Sequence, residues 1–171
     1  MTDMATQKPP QRTAAHRQLD AFAGTWRARG QSFGSLEQNP DDPRASPEMW
    51  LGEETYEWLP GGFFMLHRWD AKIGTHPFKG TEIIGYDEAR GRFYTRMFDN
   101  AGNHPEYIAT VPGNVWTFAA AATRAAVSIS SAVHRLAPRG EGMYVAYEWL
   151  PRCVRHETLG SCGIGTHRKL A

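Results

Sequence analysis

The feature that most constrains this fold is a period-two alternation of apolar and polar residues, which repeats with short breaks from about residue 48 to about residue 150. Successive side chains of a β-strand point to opposite faces of the sheet, so this pattern is typical of strands with one buried face. Gly, Pro, Asn or Asp residues bound each run. Together with a run that follows Gly24, the pattern predicts strands at about residues 25–34, 48–59, 62–73, 78–86, 91–98, 105–111, 114–121, 123–131 and 142–150.

Most connections between these runs are short. Pro60-Gly61-Gly62 and Pro112-Gly113, for example, leave no room for the helix that a parallel crossover needs. Neighbouring strands are therefore expected to pair antiparallel, as a meander. Short up-and-down connections favour a closed barrel, whereas a sandwich normally needs longer crossings between its sheets. We expect an all-β fold, an antiparallel up-and-down β-barrel of about eight to ten strands.

A short helix is predicted before the first strand. Thr13 is a good N-cap, apolar residues follow at helical spacing, and Gly24 provides the usual stop, so the helix should span about residues 13–23. Residues 1–12 are polar and show no periodicity, which predicts a disordered tail. The remaining chain, residues 13–171, has the length of one domain.

The composition excludes several classes of protein. The 19 basic and 18 acidic residues are interspersed, so no charged block indicates a nucleic-acid partner. No apolar run reaches the roughly 20 residues of a membrane-spanning helix, so membrane insertion is not expected. Cys153 and Cys162 have neither redox-motif nor disulfide-framework spacing. We expect a cytoplasmic protein.

The segment Gly24-Thr25-Trp26 resembles the signature of the calycins, which include the lipocalins and the fatty-acid-binding proteins. Three further segments support the resemblance: Trp58-Leu59-Pro60-Gly61-Gly62-Phe63, Ile83-Ile84-Gly85-Tyr86-Asp87 and Phe98-Asp99-Asn100-Ala101-Gly102. Their order and spacing are similar to calycin-like single barrels of the bacterial domain-of-unknown-function 1579 type, over roughly residues 15–150. The resemblance implies a barrel with a lumen, and it brings no established reaction.

In calycins the signature tryptophan packs at the closed end of the barrel against an arginine of the last strand. The resemblance therefore implies that Trp26 is buried beneath a guanidinium group, which Arg155 or Arg168 would supply. Both arginines belong to an atypical C-terminal segment, residues 151–171, in which the alternation is poor. Whether this segment completes the barrel is the question that the sequence leaves open.

The alternation also assigns faces to the strands, because the outer face of a barrel in water is the polar one. The predicted inward sets are Trp50, Gly52, Glu54, Tyr56 and Trp58 on the second strand, and Phe63, Met65, His67, Trp69 and Ala71 on the third. Glu54 and His67 are thus polar residues in an aromatic interior. Such a pair can orient a polar group of a ligand, or its members can satisfy each other in a packed core.

The leading hypothesis is that the lumen binds a small hydrophobic or aromatic molecule. The expected binding residues are Trp50, Tyr56, Trp58, Met65 and Trp69 as the wall, Glu54 and His67 as polar contacts, and Arg96 as a contact for a ligand carboxylate. For Arg96, a solvated outer face is the competing interpretation. One alternative is an enzyme in which His67 and Glu54 form an acid–base pair. In another, the interior is filled and the protein acts through a partner or as a homodimer.

The seven histidines are scattered, and no pair has a short metal-binding spacing, so neither a metal site nor a cofactor is predicted. Haem is kept as an alternative. A related barrel family, the nitrobindins, holds haem through one histidine late in the chain, and His156 and His167 lie in that region.

Overall fold

A computed structural model of the protein describes residues 10–32, 47–113, 115–120, 130–136, 142–149 and 161–170. It begins with a short helix, α1 (Ala14–Gln18), and a 3₁₀ turn (Leu19–Ala21). Ten strands follow: β1 (Gly24–Ser32), β2 (Glu48–Trp58), β3 (Phe64–Ile73), β4 (His76–Asp87), β5 (Arg92–Asp99), β6 (Glu106–Thr110), β7 (Val115–Ala120), β8 (Ser130–Leu136), β9 (Gly142–Trp149) and β10 (Ser161–Lys169).

The strands form a closed antiparallel barrel in which each strand pairs with its neighbours in sequence. The ring closes because β1 pairs with β2 on one side and with β10 on the other. Trp26, for example, lies opposite Glu54 of β2 and opposite Lys169 of β10. The predicted all-β, up-and-down barrel with a short N-terminal helix is confirmed. Most of the predicted tail, residues 1–9, lies outside the described residues, and the prediction of one domain over 13–171 stays a prediction.

Two strands differ from the sequence prediction. Most of the strand expected at 123–131 lies outside the described residues, and β8 continues from Ser130 to Leu136, where β7 and β9 provide its hydrogen-bonding partners. No strand was predicted at Ser161–Lys169, yet β10 pairs with both β1 and β9. Gly163 and Gly165 carry no side chain, so they contribute nothing to an alternation of polar and apolar residues. Long-range backbone pairing defines this strand, and it answers the question of closure.

The predicted N-terminal helix is present as α1 followed by the 3₁₀ turn. Thr13 caps it, and its backbone N–H donates to His16 Nδ1 at 3.1 Å. Leu19 and Phe22 are buried and pack into the apolar interior of the barrel. An isolated helix of this length is unstable in water, so these contacts hold it in place. We call Ala14–Phe22 the N-terminal plug.

The interior contains two apolar clusters. The plug cluster comprises Leu19, Phe22, Trp26, Tyr56, Met65, Ile84, Phe93, Ala109, Trp116 and Phe118. The far cluster comprises Ala28, Trp50, Trp69 and Ala71, with Ile73, Phe78 and Met97 against it. Along β3 the inward residues run from Met65 in the plug cluster through His67 to Trp69 in the far cluster. A polar level therefore separates the two clusters.

Trp26 is fully buried, as the calycin resemblance implies. Its indole N–H donates to the Phe22 carbonyl at 2.6 Å, which joins the plug to β1. Among the described residues the cation over the ring is the Lys169 ammonium, 5.5 Å from the ring centroid, so the prediction of Arg168 is wrong. Arg168 is exposed and lies opposite Arg27, while Arg155 lies outside the described residues.

Two features of the structure favour glycine at position 24 of the signature. Its φ angle is +124°, which L side chains rarely adopt. A Cβ at this position would also lie 2.8 Å from Cε of Lys169, which passes beside it on the way to Trp26. The absence of a side chain thus makes room for the lysine that covers the tryptophan.

Candidate functional site

The inward faces of β2 and β3 carry the aromatic and polar side chains that the alternation predicts. Six of the expected residues are buried: Trp50, Glu54, Tyr56, Met65, His67 and Trp69. Residues between them, such as Leu51, Glu57 and Arg68, are exposed. The alternation alone was enough to place these side chains, because only one face of each strand can reach the interior.

His67 is the centre of a buried polar level, with its imidazole between two carboxylates. Its Nδ1 lies 3.0 Å from Glu82 Oε2, and its Nε2 lies 3.3 Å from Glu54 Oε2. The Tyr56 hydroxyl donates to the same Glu54 oxygen at 3.2 Å, and the Thr95 hydroxyl donates to Glu82 Oε1. Exposed fractions are 3 % for Glu54 and 9 % for His67. We call these five residues the polar layer.

The sequence analysis missed Glu82 and Thr95 as members of this layer. Both lie at inward positions, Glu82 on β4 opposite His67 and Thr95 on β5 opposite Ile84. The signal was available for Glu82, because Phe78, Glu82 and Ile84 share the even-numbered face of the fourth strand. Its pairing with His67, 15 residues away, depends on the register of β3 against β4.

Aromatic rings fix the orientation of the His67 imidazole. The Tyr56 ring stacks on it with centroids 3.9 Å apart and an angle of 6° between planes. The Trp69 ring, two residues further along β3, is tilted against the imidazole, with centroids 5.2 Å apart. A cationic imidazole over an aromatic face gains electrostatic stabilisation. The stacking therefore favours a charged, immobile imidazolium.

Burial of His67 by itself would lower its pKa, since a low-dielectric surrounding disfavours the charged form. The contacts with Glu54 and Glu82 oppose this effect and outweigh it, raising the pKa of His67 to about 9. At neutral pH the imidazole is therefore protonated, and both ring nitrogens carry a proton.

Two N–H groups beside this layer lack a hydrogen-bond acceptor among the residues that the structure describes. Trp69 is only 6 % exposed, and its Nε1 is buried without an acceptor. His67 Nε2 lies 3.3 Å from Glu54 Oε2 and forms an ion pair with it, but the contact does not have the geometry of a well-formed hydrogen bond. Buried donors are usually partnered, so these two require an explanation.

Of the expected binding residues, Arg96 lies away from the interior, and Trp58 is only partly buried where it packs against the plug cluster. Arg96 is on the outer face of β5, with half of its side chain exposed, and pairs with Glu106 at 2.8 Å. Trp58 is half-buried at the edge of the plug, where its indole N–H donates to Asp20 at 2.9 Å and the Arg12 guanidinium lies 4.0 Å above its ring. The competing interpretation of Arg96 as a solvated residue is the one that the structure supports.

Two clefts in the described part of the chain open mainly on the outer surface. One, of about 510 Å³, runs over β2, β3 and β4, and most of its lining is exposed and polar, such as Glu53, Arg68 and Lys79. The other, of about 330 Å³, lies over β5 and β6. Several charged side chains of the first cleft form ion pairs on the surface, Lys79 with Asp70 at 2.8 Å and Arg68 with Glu57 at 2.9 Å.

Within the described ranges no cluster of three His, Cys, Asp or Glu side chains could hold a metal ion. Glu54 and Glu82 contact opposite nitrogens of His67, so the polar layer does not converge on one ion. Of the two histidines considered for haem, His156 lies outside the described residues, and His167 lies on β10 opposite Ala28. The haem alternative stays untested.

As far as the structure describes the chain, it has no helix long and apolar enough to span a bilayer.

No curated protein matches the sequence. Among solved structures, the chain is similar to a de novo designed fluorescence-activating β-barrel, with 12 % identity over 88 % of this chain and 95 % of that one and a TM-score of 0.44. A likeness at this level carries no argument about function. The model of a family described as a protein of unknown function, DUF1579, matches residues 11–120, which is more than half of the sequence. The chain belongs to the DUF1579 family.

Proposed function

We propose that the barrel binds a small, largely apolar or aromatic molecule next to the polar layer. The observation that carries this proposal is the buried array of Glu54, His67 and Glu82 in an otherwise aromatic interior. Replacing such an array by packed apolar residues often leaves stability unchanged or raises it, so stability alone gives little reason for it. Buried ionisable groups with perturbed pKa values are concentrated at functional sites.

The proposed wall consists of Trp50 and Trp69 from the far cluster and Tyr56 and Met65 from the plug cluster. This arrangement has the usual composition of a ligand site, mostly apolar with a few placed polar groups. Trp58 and Arg96 are left out of the wall, because their contacts are with the plug and with the outer surface.

The test uses a variant in which the three ionisable side chains Glu54, His67 and Glu82 are replaced at the same time. Removing only His67 would leave two buried carboxylates without their cation and would destabilise the protein by about 3–5 kcal/mol. The triple variant Glu54→Gln, His67→Gln, Glu82→Gln keeps similar shapes without the charges. We expect it to remain folded with a similar melting temperature, and to bind a hydrophobic fluorescent probe at least about tenfold more weakly.

The matched control is His76→Gln, because His76 is exposed at the start of β4. It should bind the probe as the wild type does. Unchanged probe binding in the triple variant would contradict the proposal. If binding weakens as expected, mass spectrometry of molecules that copurify with the native protein identifies the chemical class of the natural ligand.

An enzyme that uses the same residues is the second candidate, and the protonated state of His67 is the observation that favours it. With a pKa of about 9, His67 is suited to act as a general acid at neutral pH, with Glu54 and Glu82 holding its proton-bearing nitrogens. Turnover of a lumen ligand should then fall as pH rises through about 9, and His67→Gln should abolish it. Binding without turnover in both proteins would exclude this candidate.

A further inference from the structure

Two buried N–H groups belong to neighbouring inward residues of β3: Trp69 Nε1 has no acceptor among the described residues, and His67 Nε2 has the ion pair with Glu54 but no well-formed hydrogen bond. Their ring centroids are 5.2 Å apart. An oxygen acceptor lies about 2.9 Å from the nitrogen that donates to it. An oxygen that accepts from Trp69 Nε1 would therefore bind in the same part of the interior as the imidazolium.

The residues at the level next to Trp69 are small on three adjacent strands. Ala28, Gly52 and Ala71 lie opposite one another across β1, β2 and β3, at the level next to Trp69. On the β4 side Gly80 faces Trp69, and a Cβ there would collide with the indole ring. The indole thus packs directly on backbone on one side, and its neighbouring level is built from the smallest residues.

The charge of the site limits what the oxygen can belong to. Among the described residues, Glu54 and Glu82 are both within contact distance of His67, so a ligand carboxylate near His67 would approach two side-chain carboxylates and one imidazolium. Burying a further anion there is unfavourable. Arg96, which could have neutralised a carboxylate, is on the outer face. A neutral acceptor satisfies the donors without adding charge.

We propose that the ligand carries a neutral oxygen acceptor of the carbonyl type, which takes a hydrogen bond from Trp69 Nε1 beside His67, and that carboxylates such as fatty acids are disfavoured. This inference rests on the proposed binding function and specifies its ligand class. It assigns Trp69 the role of a specificity determinant in addition to that of an aromatic wall.

Three probes of nearly equal size test it by equilibrium dialysis at about pH 7.5: 2-acetylnaphthalene with a carbonyl, 2-ethylnaphthalene without an acceptor, and 2-naphthoate with a carboxylate. An unmade hydrogen bond to a buried donor costs enough to change affinity about tenfold. The wild type should bind the ketone about tenfold more tightly than either of the others. Trp69→Phe should lose this preference and still bind the hydrocarbon.

The matched control is Trp58→Phe, which removes an indole N–H that donates to Asp20 at the plug. It should keep the preference for the ketone. If the wild type binds ketone and hydrocarbon equally, or the carboxylate most tightly, the inference is wrong while binding in the lumen stands. If none of the three binds, the proposed function fails with it.

A measurement on the wild type covers the case in which Trp69→Phe does not fold. In ¹⁵N-edited NMR spectra the Trp69 indole proton should move downfield and exchange more slowly with solvent when the ketone is added. The hydrocarbon should not produce this downfield shift. An indole proton that responds equally to both probes, or to neither, would overturn the inference.

Discussion

At the scale of single residues, His67 is the position at which burial and charge oppose each other most strongly. Burial disfavours the imidazolium, whereas Glu54, Glu82 and the stacked Tyr56 ring favour it. The electrostatic contacts prevail because both carboxylates lie within 3.3 Å of the ring nitrogens. The protonation of this one residue should therefore affect the stability of the whole protein.

The sign of this effect follows from the raised pKa. The folded protein holds the His67 proton up to a pH of about 9, while the unfolded chain releases it near pH 6.5. The stabilisation is thus fully present below about pH 6.5 and is lost as pH rises to about 9 and beyond. The shift corresponds to about 3 kcal/mol in the free energy of unfolding.

We expect urea denaturation of the wild type to show this loss between about pH 6.5 and pH 10, and His67→Gln to lack it. Comparing the two proteins at each pH removes the contribution of groups that titrate alike in both. His76→Gln, with its exposed imidazole, should follow the wild type. Parallel curves for wild type and His67→Gln would show that His67 is not held protonated by its carboxylates.

Gly80 is a second position at which one atom decides the packing. A Cβ there would overlap Trp69 Cζ2 and would lie 2.5 Å from the Phe98 carbonyl oxygen, and backbone atoms cannot move aside. We expect Gly80→Ala to lower the free energy of unfolding by about 1–3 kcal/mol or more.

Thermal denaturation measures this effect, and Lys79→Ala is the control. Lys79 is the preceding residue, on the exposed face of the same strand, so its loss should change stability by less than about 0.5 kcal/mol. If Gly80→Ala is as stable as Lys79→Ala, the indole does not pack against this stretch of backbone.

At the scale of elements, the N-terminal plug is joined to the barrel by side chains from both its ends. Arg12 contacts Asp20 at 2.6 Å and covers the Trp58 ring, while Phe22 packs edge-on against Trp116 with centroids 4.9 Å apart. The Arg12–Asp20 pair is partly exposed, so it contributes little to stability. Burial of the aromatic end supplies most of the attachment.

Phe22→Ala should therefore destabilise the protein by about 3–5 kcal/mol, because it removes a fully buried aromatic ring and leaves a cavity. Chemical denaturation with tryptophan fluorescence measures the change, since Trp26 and Trp116 lie in the same cluster. The exposed Gln18→Ala is the control and should have almost no effect. A small loss in Phe22→Ala would mean that the plug does not seal this end of the barrel.

At the scale of the whole molecule, closure places β1 inside the sheet. Gly24–Ser32 pairs with β2 and with β10, so its amides should find acceptors on both sides. We expect hydrogen exchange measured by NMR to be slow for all amides along this strand. In an open sheet β1 would be an edge strand, and alternate amides would exchange rapidly. Fast exchange of the amides that face β10 would contradict the closed barrel.

Large apolar side chains also appear on the outside of the barrel. Phe64 and Tyr94 are exposed and both lie against Gly85 on the outer face. The homodimer that the sequence leaves as an alternative stays a prediction, as does the cytoplasmic location.

Much of the site could be predicted because strand geometry is local. The alternation of side chains follows from covalent structure, so it placed Glu54 and His67 in the interior together with Trp50, Tyr56 and Trp69. It did not decide the face of Arg96, because its strand has aromatic residues on both faces. It also failed for the tail, where glycines remove the pattern.

The sequence by itself determined the class of fold, the N-terminal helix, and the burial of Trp26 and of the aromatic faces of β2 and β3. Only the tertiary structure decided that β10 closes the ring, that Lys169 covers Trp26, and that Glu82 is the second carboxylate on His67. The physical reason is the range of the interactions. Alternation and capping act between residues close in sequence, whereas strand register and ion pairing join residues that only the folded barrel brings together.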